Sequence, residues 1–210
     1  MTIIGLCGSP KPGASGSLKF LDTLQSLFSE NIDYQSIVIN DEPINQSQID
    51  QCVQANALLI SVPLYFDGIP AHLLSSLERL EFAFKRLKVR PVLYVIINSG
   101  YIEPKQSTHA LNMFRLFAKR ANLTWGSAMA VGAGNMLIQM TQIPLGTGIR
   151  KNLGHALNQF KNDIEGLVSS DDYYVKPNFP RWLYMLLGNR GWIKQAKANQ
   201  LNKKSMIQKH

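Results

Sequence analysis

The chain has 210 residues, 45% of them hydrophobic and 17% charged, with a formal net charge of +8. That size and composition fit a soluble globular protein with one substantial core, and no apolar run approaches the roughly 20 residues that span a bilayer. Residues 1–172 hold 14 Lys/Arg and 14 Asp/Glu, so the body is neutral and the whole excess belongs to 173–210, which argues against nucleic-acid binding by the body.

TIIGLCG (2–8) is an apolar, β-branched run ending in glycine and predicts a buried strand. It has no basic leader before it, so no signal peptide is read and a cytoplasmic location is expected. Ser17 is the expected N-cap of a helix in which Leu18, Leu21 and Leu24 recur at helical spacing. A second strand is predicted at 34–40 and a short helix around 47–54. ALLISVP (57–63) is apolar without alternation, as for a strand covered on both faces of a parallel sheet. An amphipathic helix over 70–87 follows, then a buried strand over 91–100, a helix over 106–121, a fifth strand over 123–132 and a fifth helix over 148–168. Strand and helix alternating five times predict a doubly wound parallel sheet with helices on both faces. Residues 133–147 read as an irregular insertion. Cys7 and Cys52 form no CxxC pair and the four histidines have no ligand spacing, so no metal site is expected.

In an open α/β sheet ligands bind outside the carboxyl ends of the strands, where strand order reverses. Three of those ends carry unusual loops: GSPKPGASGS after the first strand, PLYFDGIP after the third, NSGYIEP after the fourth. In a 2-1-3-4-5 order the three would line one cleft. The first loop keeps the Walker spacing from Gly8 to Gly13 and Ser15, but Ala14 stands where a triphosphate loop needs lysine. No GxGxxG follows the first strand, and the position six after Cys7 is Gly13 rather than the arginine of a cysteine phosphatase. What remains is a loop of hydroxyls and backbone N–H groups opening onto a helix, suited to a terminal phosphate monoester such as that of FMN.

At these residues the chain resembles the flavodoxin-like NAD(P)H-dependent FMN reductases. Gly8-Ser9-Pro10-Lys11 and Ser15-Gly16-Ser17 are similar to that family's first-strand motif, with Gly16 where the family usually has asparagine. Val62-Pro63-Leu64-Tyr65 through Leu73 echoes its second motif, with Val62 for threonine and Leu74 for lysine, and Asn98-Ser99-Gly100-Tyr101 echoes a third. The resemblance spans about residues 1–170. It implies a flavodoxin-like three-layer sandwich, a five-stranded parallel sheet of order 2-1-3-4-5, with a C-terminal helical extension over 171–210. It further implies that Ser9, Lys11, Ser15, Ser17 and Leu18 surround the phosphate of FMN. Pro63, Leu64, Tyr65, Phe66 and Gly68 would border the flavin ring, with Asn98, Gly100 and Tyr101 closing the other side.

The implied activity is transfer of electrons from NAD(P)H through FMN to a small-molecule acceptor: a quinone, an azo or nitro compound, or free flavin. The cofactor carries such chemistry, so no catalytic acid or base is named. Two other readings stand beside it, a flavodoxin-type electron carrier and a protein that keeps the fold without the flavin. Tyr65 and Phe66 also have a simple reading as core residues, and Asp67-Gly68 as a turn. FPRWLYMLLGNRGWIKQAKANQLNKK (179–204) mixes aromatics with cations. Packing on the body or on a second subunit, giving a homodimer, is preferred for it over contact with a membrane surface.

Overall fold

The computed structural model describes residues 1–40 and 42–199. Among these residues six strands form one sheet: β1 (Thr2–Cys7), β2 (Asp33–Val38), β3 (Ala57–Pro63), β4 (Val92–Asn98), β5 (Thr124–Val131) and β6 (Tyr173–Val175). Their order is β2-β1-β3-β4-β5-β6 and every pairing is parallel. The expected five-stranded sheet is therefore corrected to six. β6 is too short to show a hydrophobic pattern, and it forms because Asp172 pins its entrance, accepting from Ala128 N at 3.0 Å.

The unalternated runs are explained by burial on both faces. Ile4, Leu6, Leu58, Ile60 and Val95 face one apolar layer; Ile3, Cys7, Leu59, Tyr94 and Met129 face the other. The first layer is built with α2 (Gln46–Gln54), α3 (Ala71–Phe84) and α4 (Thr108–Ala121), the second with α1 (Gly16–Gln25), α5 (Gly134–Gln139) and α6 (Lys151–Gly166). Single residues set the helix ends. Asn45 and Gln48 form a reciprocal capping box at the start of α2, and Asn122 closes α4 in the left-handed region at φ 54°.

α1 begins two residues earlier than a cap at Ser17 would allow. Ser15 is the N-cap, its Oγ accepting from Leu18 N at 3.1 Å, and Ser17 is buried in the first turn. The segment read as an irregular insertion contains α5 in its first half.

The chain divides into one unit spanning Met1–Pro177 and a second beginning at Asn178. In the second, α7 (Arg181–Ala198) exposes Trp182, Met185, Leu186 and Trp192. The end of the basic stretch, 200–210, lies outside the described residues. Among the described residues no helix is long and apolar enough to cross a membrane.

Candidate functional site

Register brings the three unusual loops together. Cys7 pairs with Ser61, Pro63 with Asn98 and Asn98 with Val131, so the carboxyl ends of β1, β3, β4 and β5 stand side by side. Gly8 N donates to Ser61 O at 2.9 Å and Leu64 N to Asn98 O at 2.9 Å, tying each loop to the neighbouring strand.

Between the loops lies a cavity of about 250 Å³. From the first loop Ser9, Lys11, Ser15 and Ser17 line it; from the second, Pro63, Leu64 and Tyr65; from the third, Asn98 and Gly100. Leu18, Phe66, Gly68 and Tyr101 stand outside the lining. Leu18 packs toward the core beneath α1, and its N–H is taken by Ser15. Gly16, Asn135 and Gln139 join the lining, the last two from α5. Neither α5 residue carries a signal in the sequence, because a six-residue helix has too few positions to show a period.

The wall is polar by construction. Gly16 and Ser17 occupy the first turn of α1, where N–H groups have no acceptor within the helix. Those N–H groups and the helix dipole favour an anion. Among the described residues of the lining Lys11 is the one cation and there is no carboxylate, which suits a phosphate.

Asn98 is the buried centre of the arrangement, at 1% exposure. Its Nδ2 donates to Ser17 Oγ at 2.8 Å and to Val62 O at 3.1 Å. Two acceptors fix that orientation and leave Oδ1 buried without a partner. An orphaned buried carbonyl oxygen costs about 1–3 kcal/mol, which a ligand donor would recover.

Tyr65 brings an aromatic ring to the lining. Tyr65 and Gly68 exchange backbone hydrogen bonds at 3.1 and 2.9 Å across a tight turn in which Phe66 and Asp67 both have positive φ, 46° and 64°. This places Phe66 fully in solvent on a conformation that non-glycine residues avoid, and Tyr65 and Tyr101 are exposed as well. The reading of Tyr65 and Phe66 as core residues is thereby overturned.

Cys7 lies beneath the loop, its Sγ 3.6 Å from Ser15 Oγ. Burial pushes its thiol above the usual range, and burial pushes Cys52 up to about 12. Thiolates are the reactive form. Titration of the native protein with a thiol–disulfide reagent at neutral pH is therefore expected to find no fast-reacting thiol, and both in denaturant. A native Cys7 that reacts within seconds would contradict its place in the core.

No protein-family model matches the sequence, and no curated protein matches it. Solved structures do match. An NADPH-quinone reductase from P. pentosaceus aligns at 15% identity over 76% of this chain and 96% of its own, with a TM-score of 0.52. A flavodoxin of Streptococcus pneumoniae TIGR4 aligns at 12% identity over 79% and 99%, with a TM-score of 0.50. The fold is flavodoxin-like. RosB, solved with the bound intermediate 8-demethyl-8-formylriboflavin-5'-phosphate, shares the flavodoxin-like fold at 12% identity over 79% of this chain and 76% of its own, with a TM-score of 0.55. At these identities the likeness is one of fold, and the site must speak for itself.

Proposed function

We propose that the protein is an FMN-dependent oxidoreductase that passes electrons from NAD(P)H to a quinone, an azo or nitro compound, or free flavin. The observation that carries this reading is the cavity itself: hydroxyls, open helix N–H groups, an orphaned amide oxygen and the half-exposed ring of Tyr65, with exposed Phe66 and Tyr101 next in sequence to lining residues. Its volume of about 250 Å³ falls short of the roughly 300–1,000 Å³ that enclose a whole drug-sized ligand. That size suits the phosphate and ribityl chain, and leaves the ring to the mouth, where a donor and an acceptor have access. Ser9, Ser15 and the first turn of α1 would hold the phosphate, and Tyr65, Phe66 and Tyr101 would offer apolar faces to the ring. Bound FMN supplies the hydride chemistry, so the chain is asked only to bind, orient and leave the ring accessible.

Titration with FMN is expected to quench flavin fluorescence with a dissociation constant of micromolar order or tighter. Under anaerobic conditions the flavin absorbance of the complex should bleach on addition of NADH or NADPH. A colourless protein that leaves FMN fluorescence unchanged would overturn the proposal. Steady-state oxidation of NAD(P)H without an added reductase separates the enzyme from an electron carrier, which binds FMN but does not turn over alone.

A further inference from the structure

We propose that Asn135 binds the phosphate end of the ligand, in the space that the absence of a side chain at Gly16 leaves open. This assignment rests on the FMN reading above. A Cβ built on Gly16 would overlap Asn135 Oδ1 and stand 3.4 Å from Asn98 Oδ1. Any residue larger than glycine at position 16 therefore excludes the Asn135 amide from the first turn of α1. With glycine there, Asn135 of α5 reaches the first turn of α1, in a site whose other walls come from the loops after β1, β3 and β4 and from Gln139.

The two residues that lead into Asn135 are both anchored to the neighbouring loop. Ala133 N donates to Tyr101 O at 2.6 Å and Gly134 N to Ser99 O at 2.8 Å. Gly134 packs so closely on Asn98 that a Cβ there would lie 2.8 Å from Asn98 Cβ. The amide is thus presented by a fixed segment, which lowers the entropy lost on binding.

Two amides then face one small space with complementary needs. Asn135 turns its Oδ1 toward Gly16 in the empty cavity, and a half-turn of the amide brings its NH₂ group there instead, to donate to a phosphate oxygen beside the N–H groups of Gly16 and Ser17. Asn98 Oδ1, buried and unpartnered, can only accept, and a fully ionised phosphate offers it no hydrogen. The ligand that satisfies both carries a hydroxyl next to its phosphate. A phosphorylated polyol chain meets that description; a bare anion does not.

The test titrates FMN and riboflavin into the wild type, Asn135→Ala, Gly16→Asn and the double variant Gly16→Asn/Asn135→Gly. Asn135→Ala should weaken FMN by about tenfold or more, the effect of one hydrogen bond to a charged group, and leave riboflavin within about twofold. Gly16→Asn should lose FMN binding and melt at a lower temperature in flavin-free buffer, because two side chains compete for one space. The double variant should recover both properties. An Asn135→Ala protein that binds FMN as the wild type does, or that loses riboflavin equally, overturns the assignment alone. A wild type that binds neither flavin overturns the FMN reading and this assignment with it.

Discussion

Asp172→Ala is expected to lower the stability of the body by about 3 kcal/mol, a fall in melting temperature of roughly 6–12 °C for a chain of this length. Asp172 is a single carboxylate with three tasks. It accepts from Ala128 N at 3.0 Å, from Trp125 Nε1 at 3.2 Å and from Arg115 at 2.6 Å, with its side chain only 5% exposed. The ion pair is the least of these, because Arg115 is half in water and such pairs contribute about 0–1 kcal/mol. The larger cost is the backbone N–H of the fully buried Ala128, left without an acceptor. Arg115→Ala should therefore cost far less than Asp172→Ala, and thermal denaturation of the two variants checks the ranking. Equal losses would show that the ion pair, not the buried N–H, holds β6 in place. The effect should reach the site as well. Val175 O, in β6, accepts from Gly132 N at 2.9 Å, one step before the segment that carries Asn135.

The parts of this molecule legible in the sequence are those whose physics is local or repetitive. Ile4, Leu6, Leu58 and Ile60 announce two-sided burial because no polar residue interrupts them, and parallel pairing with its loops at one edge follows from that. Ser9, Ser15 and Asn98 are visible because a polar loop directly after such a run has few other reasons to exist.

What stays hidden depends on distant partners. β6 is three residues long and exists through Asp172 and the edge of β5. Ser15 rather than Ser17 caps α1 because Asn98, 81 residues away, claims the Ser17 hydroxyl. The Asp67-Gly68 dipeptide reads as a turn, and both residues belong to one; what the dipeptide does not show is that Phe66 shares its centre, in a conformation its own type disfavours. Asn135 was hidden most completely, since its meaning depends on a glycine at position 16 and on the chain crossing from β5 to meet it.

Asn98→Asp is expected to weaken FMN binding by about a hundredfold at neutral pH, and the loss should shrink as the pH falls. The exchange alters little in shape but reverses the hydrogen bonding. Val62 O can only accept, so a carboxylate oxygen facing it at the present 3.1 Å would be unpaired and repelled. The new carboxyl would be buried, which raises its pKa above the ordinary value. An ionised phosphate in the cavity raises it further. Two unit charges ~5 Å apart repel by about 3 kcal/mol at an effective dielectric near 20, which is the hundredfold. Because the bound state then holds its proton more tightly than the free state, binding takes up a proton, and affinity rises as the pH drops through the two pKa values. The phosphate's own ionisation near pH 6 affects wild type and variant alike, so the ratio of their dissociation constants isolates the carboxyl. Asn98→Ala removes the same donors without adding charge and should show a smaller loss with no pH dependence of that ratio. If Asn98→Asp and Asn98→Ala bind FMN equally at every pH while both remain folded, the phosphate does not lie near Asn98, and the cavity holds some other part of its ligand.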